Sequence, residues 1–341
     1  MTLQFAVTSA EAMLVGVTTQ ARPGGGMLIA APGRWDEACF SLPALRTLVA
    51  SGVGVGVLCE AGQRRYWETL PGLTVLDFPP KTKPRALAGE LAGLWQAALL
   101  WEPGVAADAC VRARIARRIG PKEKPLKKYL THPVELVPVA RPLEHRVRHY
   151  LALVESLGLD TAQPEIFAPV ALGFPRHPQA LLLSPDSDFG PTHEWPLERW
   201  VEVALALQAA GWSLTIAGLA QGGRVAEVLL NRLGGTLPFL RIRSLANALP
   251  LLAQHAWVVA ADGSLPHLAA HVGTRCVTLF GPNDPSWKRP LGRNHVTLRR
   301  HVPCAPCFLV KCQMDGRCQT ELTVERMLAA MSECLANEIV S

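Results

Sequence analysis

Short apolar runs alternate with amphipathic segments along most of this 341-residue chain, and the alternation restricts the folds open to it. The run MLIAAP (27–32) is followed by SLPALRTLVASG (41–52), which has apolar residues at helical spacing, and then by VGVGVLCE (53–60). The same order starts again at ALLLSP (180–185). Strands that alternate with helices pair in parallel and are covered by helices on both faces. We therefore predict an α/β protein.

The segment that follows Asp160 contains four prolines: Pro164, Pro169, Pro175 and Pro178. This segment separates the two alternations. Proline ends helices and stiffens connections, so the stretch is interpreted as an interdomain linker. We predict two Rossmann-like domains that face a cleft, because ligands of open α/β sheets bind at the carboxyl ends of the strands. The first covers residues 27–165, and the second covers residues 176–341 with a closing C-terminal helix.

The first 26 residues carry no Lys or Arg before Arg22, which argues against a secretory signal. A glycine junction, Gly24 to Gly26, then precedes the first predicted strand. We expect residues 1–26 to be a loose N-terminal extension or a start assigned too early. The chain also has no uncharged apolar run of about 18 residues, the length that spans a membrane. With nine cysteines and no signal, the sequence favours a reducing cytoplasm.

Periodicity alone supports several further predictions. AADACVRARIARRIG (106–120) is predicted to be one helix, and the proline-rich segment 121–143 is predicted to be a loop. SLANALPLLAQHA (244–256) is predicted to be a single helix before the strand AWVVAAD (256–262). The glycines of VGVGV (53–57) have no helix start after them, so this run is predicted to be a tightly packed strand.

The loop that follows AWVVAA carries Asp262, Gly263, Ser264 and His267. A helix that starts there would present free N–H groups, which together with the helix dipole bind phosphate. Asp262 has the alternative role of a helix N-cap, and His267 that of a packed helix residue. The segment 280–285, FGPNDP, follows the next strand and would form a second wall of the same site.

A second polar loop, residues 184–196, follows an earlier strand. Its hydroxyls and one imidazole can bind an anion, and Trp195-Pro196 is predicted to pack at the start of the following helix. The candidate ligand-binding residues of the two loops are Ser187, Thr192, His193, Asp262, Gly263, Ser264 and His267.

Asp36 and Glu37 lie between the first predicted strand and the first predicted helix. A carboxylate at this edge of a sheet can act as a general base on a hydroxyl group. The alternative is structural, because acidic residues at a helix N-terminus complement the helix dipole.

Residues 111–150, which we call the basic belt, contain eleven Lys and Arg against three Glu. The belt predicts an anionic partner such as a phosphorylated glycolipid, a membrane surface or nucleic acid, and the alternative is a solvated face. Tyr129 and Tyr150 are its only aromatic rings apart from histidines, which disfavours stacking on single-stranded nucleic acid.

The chain has no GxGxxG after its first strand, no GxxxxGK[ST] and no HExxH, so neither a dinucleotide nor a catalytic metal is predicted as a cofactor. Cys304, Cys307, Cys312 and Cys318 form a compact cluster in the sequence. Four thiolates could bind zinc structurally, but the spacing is not that of two CxxC pairs. Both interpretations stay open: a structural zinc site, or thiols that are free or redox-active.

Together these pieces resemble the ADP-heptose:lipopolysaccharide heptosyltransferase family, glycosyltransferase family 9, over residues 27–335. Leu42-Pro43-Ala44-Leu45 matches the L-P-A-L of the family's first helix. The loop 185–196 resembles P-G-x-x-F-G-P-A-K-R-W-P, most like the second heptosyltransferase type, and 262–285 resembles D-[ST]-G-x-x-H-L-A-A followed by F-G-P-T-D-P. The cysteine cluster also occurs in many members.

The resemblance implies a GT-B fold and an inverting, metal-independent glycosyltransferase. The C-terminal domain would bind a nucleotide sugar, typically ADP-heptose. The N-terminal domain would bind the growing inner core of lipopolysaccharide, an anionic glycolipid that fits the basic belt. Glu37 stands at the position of the family's base, with Asp36 as the fallback. No nucleic acid partner is expected, and membrane contact would be peripheral, at the inner face of the cytoplasmic membrane.

Three departures from the family pattern bear on activity. Glu37 replaces an Asp, His193 and Glu194 replace a Lys and an Arg, and Gly263-Ser264 shifts a hydroxyl by one position. They suggest a different donor sugar or nucleotide, or a weakened member that binds nucleotide or glycan without transfer. Another two-Rossmann enzyme, such as a nucleotide-sugar epimerase, is a third alternative.

Overall fold

The computed structural model describes residues 25–137, 144–220, 224–293 and 295–339. They form two compact units. The first unit holds residues 25–137 and 146–168, and the second holds residues 144–145 together with the described residues from 169 to 339. In the described part of the chain each unit is built on a parallel six-stranded sheet. The predicted α/β class is confirmed.

The strands of the first unit are β1 (Met27–Ala30), β2 (Val55–Glu60), β3 (Leu73–Phe78), β4 (Ala97–Leu100), β5 (Arg117–Pro121) and β6 (His132–Val134). Their order in the sheet is β3-β2-β1-β4-β5-β6. Leu28 of β1 pairs with Gly56 on one side and with Ala98 on the other. All residues of β1 and β4 are buried, as expected for parallel strands covered on both faces. The carboxyl ends of β1 and β4 therefore lie side by side.

Helices cover this sheet, and 3₁₀ turns occur at Ala61–Gln63, Lys127–Tyr129 and Pro164–Phe167. The helices are α1 (Trp35–Ala50), α2 (Arg64–Trp67), α3 (Pro84–Leu91), α4 (Val105–Arg112) and α5 (Val147–Glu155). Helix α1 is buried along most of its length and packs against α5. Asp36 and Glu37 are in its first turn, so the predicted match of acids to the helix dipole holds structurally.

The strands of the second unit are β7 (His177–Ser184), β8 (Ser213–Leu219), β9 (Phe239–Ile242), β10 (His255–Ala261), β11 (Arg275–Phe280) and β12 (Val296–Arg299). Their order is β12-β11-β10-β7-β8-β9. The central strand β10 pairs Ala260 with Ser184 of β7 and Ala261 with Leu279 of β11. This register brings the loops after β7, β10 and β11 to one edge of the sheet.

The helices of the second unit are α6 (Leu197–Ala209), α7 (Val225–Arg232), α8 (Leu249–Gln254), α9 (Ser264–His271), α10 (Pro285–Lys288), α11 (Arg317–Thr320) and α12 (Val324–Ile339). Further 3₁₀ turns lie at Pro191–His193 and Leu245–Ala248. Trp195 is 1% exposed, packs edge-to-face on Trp200 of α6 and donates its indole N–H to the carbonyl of Leu322. The predicted packing of Trp195 at the start of this helix is confirmed.

The predicted helix over 106–120 is wrong in its second half. Helix α4 ends at Arg112, Arg114 has a positive φ of 55°, and β5 begins at Arg117. A side chain at Gly120 would meet the carbonyl of Leu100, so the close strand contact requires glycine here. In a short segment of mixed apolar and basic residues, periodicity does not distinguish a helix from a strand. The predicted loop 121–143 likewise contains β6.

The predicted single helix over 244–256 is also wrong. A 3₁₀ turn ends at Ala248, α8 spans Leu249–Gln254 with Pro250 in its first turn, and β10 begins at His255. Proline is well accommodated at a helix start, because its missing N–H is not needed there. Strands β9 and β12 were not predicted, since both are four-residue strands at the sheet edges and are only partly buried.

The glycines of VGVGV behave as predicted. A Cβ on Gly56 would collide with the indole ring of Trp95, so β2 can pass this buried ring only with glycine at that position. The prediction of a tightly packed strand is confirmed for β2.

Most of the predicted N-terminal extension, residues 1–24, lies outside the described residues. Gly25 and Gly26 are buried, and the carbonyl of Gly26 accepts the N–H groups of Gln96 and Ala97 at 3.3 and 3.4 Å. The packed fold therefore starts before the predicted boundary at residue 27. In the part of the chain that the structure describes, no helix combines the length and apolar character needed to cross a membrane.

Candidate active site

Asp262 is the centre of the polar site in the second unit. It directly follows β10 and is fully buried. Its Oδ2 accepts hydrogen bonds from Nδ1 of His193 at 2.9 Å and from the amide of Asn283 at 2.7 Å. His193 comes from the loop after β7 and Asn283 from the loop after β11, so the structure brings together the three loops singled out in the sequence. Asn283 lies in the FGPNDP segment predicted to be the second wall of the site, but its bond to Asp262 was not predicted.

The second carboxylate oxygen of Asp262 has a different environment. Oδ1 is buried and has no hydrogen-bond partner in the described part of the chain. A buried acceptor without a partner is costly unless a ligand or water satisfies it. The helix N-cap residue is Gly263, and Asp262 makes no side-chain capping bond, so the alternative role of Asp262 as N-cap does not hold. Oδ1 is therefore suited to accept a hydrogen bond from a bound hydroxyl or amide.

Ser187 acts inside the protein. Its hydroxyl donates to the carbonyl of Asp262 at 2.6 Å and accepts the N–H of Phe189 at 3.1 Å. Its own N–H donates to the carboxylate of Glu194 at 3.0 Å. These bonds fix the loop after β7 against the end of β10. They also give Glu194, the departure from the family's Arg, a structural role.

The start of α9 already carries a negative charge. The carboxylate of Asp188 accepts the N–H of Ser264 at 2.8 Å and its hydroxyl at 2.6 Å. A Cβ on Gly263 would lie 2.8 Å from Asp188 Oδ1, so this close approach requires glycine. Pro266 has no N–H, which further reduces the donors at this helix start. A phosphate at Ser264 would meet the Asp188 carboxylate, which sequence analysis did not consider.

The remaining predicted donor-site residues lie nearby. His267 is on α9 and is 3% exposed, consistent with its alternative role as a packed helix residue. Thr192 donates its hydroxyl to the carbonyl of Leu309, and the side-chain amide of Gln319 donates to the carbonyl of Thr192. The loop after β7 is thus fastened to the segment that contains the cysteine cluster.

The two candidate catalytic carboxylates of the first unit are held by different partners. Oε2 of Glu37 accepts the Nε–H of Arg146 at 2.9 Å and the hydroxyl of Tyr150 at 2.6 Å. Burial and the adjacent Glu37 charge raise the pKa of Tyr150 well above its usual value, so its hydroxyl stays a donor. Asp36 is fully buried and forms a two-pronged ion pair with Arg34, with both distances 3.1 Å. The Asp36 side chain is 0% exposed and the Glu37 side chain is 11% exposed, so Glu37 is the more accessible of the two to a substrate hydroxyl.

A third carboxylate, Glu102, lies two residues beyond the end of β4 and was missed by sequence analysis. Its Oε1 accepts the N–H of Gly33 at 2.8 Å. Removal from water raises the pKa of Glu102; the bond from Gly33 opposes this shift, and the charge of Glu37 adds to it. The segment LLWEP carries no recognisable motif, and only the adjacency of β1 and β4 brings Glu102 to the loop between β1 and α1.

The basic belt divides into two parts. Arg146 and Arg148 are half-buried and pair with Glu37 and Glu155, respectively. The outward-facing part surrounds β5 and β6, where Lys122 also pairs with Glu135. Its exposed cations are Arg112, Arg114, Lys122, Lys124, Lys127 and Lys128.

The four clustered cysteines line one cavity of about 520 Å³, together with Thr192 and Pro282. Pro282 fixes this segment, because its carbonyl accepts the N–H groups of Cys307 and Phe308. The thiols are not disulfide-bonded, and burial and the three neighbouring thiols raise the pKa of Cys318. Within the described ranges no three His, Cys, Asp or Glu side chains are placed to hold a metal ion.

Two parallel Rossmann-like sheets, each with polar loops at its carboxyl edge, are the components of the GT-B class of glycosyltransferase folds. Solved structures of this class are similar to the chain. Escherichia coli ADP-heptose lipopolysaccharide heptosyltransferase II has a TM-score of 0.71 at 20% identity, over 92% of this chain and 99% of that one. E. coli heptosyltransferase WaaC with ADP has a TM-score of 0.71 at 18% identity, over 90% and 99%. The predicted GT-B fold is confirmed.

The family model of glycosyltransferase family 9 (heptosyltransferase) matches residues 135–317, more than half of the chain. The chain belongs to this family. Lipopolysaccharide heptosyltransferase 1 of Pseudomonas aeruginosa is 36% identical over 126 residues, which cover 36% of this chain and 34% of that protein. The chain matches about a third to nearly half of the length of such curated relatives. They include both heptosyltransferase types, so the likeness to the second type stays a prediction.

Proposed function

We propose that this protein transfers a heptose or a related sugar from a nucleotide-activated donor, with ADP-heptose as the expected donor, to the inner core of lipopolysaccharide. The observation that carries the proposal is the buried Asp262 oxygen without a partner, set among three loops at the carboxyl edge of the second sheet. Membership in glycosyltransferase family 9 supports the reaction class. A structurally similar heptosyltransferase has been described with ADP, which supports the nucleotide.

The donor would bind at the edge formed by the loops after β7, β10 and β11. Asp262 Oδ1 accepts a hydroxyl of the donor, while His193 and Asn283 keep the carboxylate in place through Oδ2. Ser187 and Glu194 hold the surrounding loop rigid before the donor arrives. Groups that are fixed in advance do not have to reorganise during the reaction, which favours catalysis.

The reaction would proceed with inversion and without a metal. Glu37 accepts the proton of the acceptor hydroxyl, whose oxygen forms the new bond to the anomeric carbon as the bond to the diphosphate breaks and ADP leaves. Arg146 and Tyr150 orient Glu37 through Oε2. Asp36 remains the fallback base, although its side chain has no exposed surface.

The acceptor would be an anionic glycolipid. The six exposed cations around β5 and β6 provide a positively charged surface for carboxylates and phosphates of the inner core. We propose that the protein works in the cytoplasm and touches the inner face of the cytoplasmic membrane peripherally through this surface. We propose that residues 27–165 form the acceptor domain and that residues 176–341 form the donor domain.

Calorimetric titration with ADP, ADP-heptose, UDP and GDP, without added metal, tests the donor assignment. Saturable binding of the adenine nucleotides alone supports the proposal, and a preference for UDP or GDP changes the donor but not the reaction class. Glu37→Gln should then abolish transfer to a lipopolysaccharide acceptor while ADP binding is unchanged. Near-full turnover of this variant would show that Glu37 is not the base.

A second candidate function is nucleotide or glycan binding without transfer. Two observations favour it: Asp188 places a negative charge at the start of α9, and Glu37 is engaged by Arg146 and Tyr150. Tight ADP-heptose binding with no transfer to any lipopolysaccharide fraction would support this alternative.

A further inference from the structure

The first turn of α1 carries the candidate base but lacks a side-chain cap. Asp36 and Glu37 are in this turn, and the N-cap residue, Arg34, makes no side-chain capping bond. A capping bond commonly fixes the start of a helix, and without one the start needs support from other groups. The position of Glu37 therefore depends on how the preceding loop, residues 31–34, is held.

Gln63 binds two consecutive carbonyl groups of this loop. It is the last residue of the 3₁₀ turn that follows β2, and it is 3% exposed. Its Nε2 donates to the carbonyl of Pro32 at 2.9 Å and to that of Gly33 at 3.2 Å. A side-chain amide has two N–H donors, so the loop uses the whole donor capacity of Gln63.

A buried partner fixes the amide itself. Oε1 of Gln63 accepts the indole N–H of Trp67 at 3.4 Å, and Trp67 is fully buried in α2. Because the indole occupies the oxygen, the nitrogen of the amide faces the loop. Tyr66, the neighbour of Trp67, packs edge-to-face on Trp35 of α1, with ring centres 5.9 Å apart. The segment 63–67 thus supports both the loop and the first turn of α1.

A third bond holds the loop from the side of β4. The N–H of Gly33 donates to Glu102 at 2.8 Å, so both polar groups of the Gly33 backbone are bonded to other elements. Glycine restricts the backbone less than any other residue, and such bonds compensate for this freedom. The loop is therefore fixed between groups that follow β2 and β4.

A fixed loop matters for proton transfer. Arg146 and Tyr150 hold the carboxylate of Glu37, whereas Gln63 acts on the backbone that leads into α1. A general base has to lie within about 2.6–3.2 Å of the group that gives up its proton. A displacement of about 1 Å can lower a rate about a hundredfold.

We infer that Gln63 is a positioning residue of the transfer reaction: it holds the loop before α1 so that Glu37 meets the acceptor hydroxyl at the distance that proton transfer requires. The inference rests on the proposed function, because it assumes that Glu37 is the base. Gln63 acts through the backbone and Glu37, and it exchanges no proton itself.

Gln63→Met removes both donors and keeps an apolar chain of similar length. We expect kcat to fall by about tenfold to a hundredfold, while KM for ADP-heptose and Kd for ADP stay within about twofold of the wild type. Thr47→Val is the matched control, because Thr47 is also buried, lies further along α1 and donates its hydroxyl to the carbonyl of Pro43 at 3.0 Å. It should lower the melting temperature but not kcat. Wild-type kcat in folded Gln63→Met, or an equal fall in both variants, would overturn the inference.

Hydrogen exchange followed by mass spectrometry tests whether Gln63 holds the loop. A peptide that covers residues 31–40 should exchange faster in Gln63→Met than in the wild type or Thr47→Val, because two bonds to the loop are lost. Unchanged exchange in this peptide would also overturn the inference, since other groups would then be sufficient to hold the loop.

Further comparisons separate the possible failures. Gln63→Asn is one methylene shorter and cannot reach both carbonyls, so its kcat should also fall, and it replaces Gln63→Met if that variant does not fold. If the wild type transfers no sugar to any lipopolysaccharide fraction, the proposed function and this inference fail together. If the wild type transfers and the Gln63 variants keep its kcat, only the inference fails. Near-full turnover of Glu37→Gln would remove the base that Gln63 positions, and the inference would fail while the transfer reaction stands.

Discussion

His193 and Asp262 form a buried hydrogen-bonded pair, with 2.9 Å between Nδ1 and Oδ2 and exposed fractions of 3% and 0%. The two residues lie in loops that follow different strands, β7 and β10, so the pair joins neighbouring loops at the sheet edge. Asn283, from the loop after β11, binds the same oxygen. Asp262 is therefore both a structural acceptor, through Oδ2, and a candidate ligand acceptor, through Oδ1.

Asp262→Asn and Asp262→Ala should separate these two roles. Asparagine keeps one acceptor oxygen for His193 and Asn283 but turns the other position into a donor. We expect little change in the free energy of unfolding but at least tenfold weaker ADP-heptose binding. Alanine leaves two buried donors without an acceptor, which costs about 1–3 kcal/mol for each. Urea denaturation and calorimetry measure the two effects, and equal destabilisation by both substitutions would contradict the division of roles.

The fold was largely predictable from the sequence, and the exceptions have physical causes. The central strands are continuous apolar runs bounded by loops, and the register of β7, β10 and β11 then places the three polar loops together. The edge strands β9 and β12 are short and half-exposed, so their sequences resemble loops. Helix α4 ends early because the chain reverses at Arg114 and enters a strand that no periodicity marks.

The site was less predictable, because its contacts join residues that are distant in sequence. Glu37 is 109 residues from Arg146, and Asp188 is 76 residues from Ser264. Motifs gave the positions of Glu37 and Asp262 but not their partners. Glu102 lies in a segment without a motif, so only the fold brings it to the candidate site.

Tyr150→Phe should destabilise the first unit. The Tyr150 hydroxyl donates to Glu37 at 2.6 Å in a buried position, and a bond to a charged group contributes about 1.5–3 kcal/mol. Tyr66→Phe is the comparison, because the hydroxyl it removes bonds to two neutral groups, the carbonyl of Ala38 at 3.5 Å and the thiol of Cys39. Urea denaturation should show a clearly larger loss for Tyr150→Phe. If Tyr66→Phe costs as much or more, the bond from Tyr150 to Glu37 is not the stabilising one.

Gly56→Ala should be strongly destabilising. Its Cβ would collide with the buried Trp95 ring, and overpacking of this kind typically costs about 1–3 kcal/mol. Gly89→Ala is the control: this glycine is in α3, and a Cβ there meets nothing within 4 Å. Alanine is favoured over glycine in a helix by about 1 kcal/mol. The two substitutions should therefore change the melting temperature in opposite directions, and a melting temperature unchanged by Gly56→Ala would contradict the tight packing of β2.

Acidification should destabilise the protein partly through His295. Burial lowers the pKa of His295 from 6.5 to about 4, and its Nδ1 lies 3.2 Å from the sulfur of Cys276. Between these two pH values the unfolded chain binds a proton that the folded protein does not. Stability is therefore full above pH 6.5 and falls as the pH drops toward 4. At about 1.4 kcal/mol for each unit of pKa, the loss from this residue is at most about 3.5 kcal/mol.

His295→Gln should flatten this dependence. The measurement is the free energy of unfolding in urea at several pH values between 4 and 7, for the wild type, His295→Gln and His301→Gln. His301 is exposed and serves as the control. The wild type and His301→Gln should lose stability in parallel, and His295→Gln should lose less. Parallel curves for all three proteins would rule out His295 as a source of acid sensitivity.

The cysteines should divide into two classes of reactivity. Cys304 and Cys312 are exposed, so an alkylating reagent at pH 8 should modify them first. Burial raises the pKa of four other thiols to about 12, so these should react only after unfolding: Cys39, Cys59, Cys110 and Cys276. Peptide mass spectrometry over a time course gives the order of modification.

Bound ADP should change the reactivity of the cysteine segment. Since the N–H of Cys307 donates to the carbonyl of Pro282, in the proposed donor loop, saturating ADP should slow modification of Cys307 more than that of Cys304. If ADP slows modification of both thiols equally, or of neither, the cysteine segment does not respond to binding at the donor site.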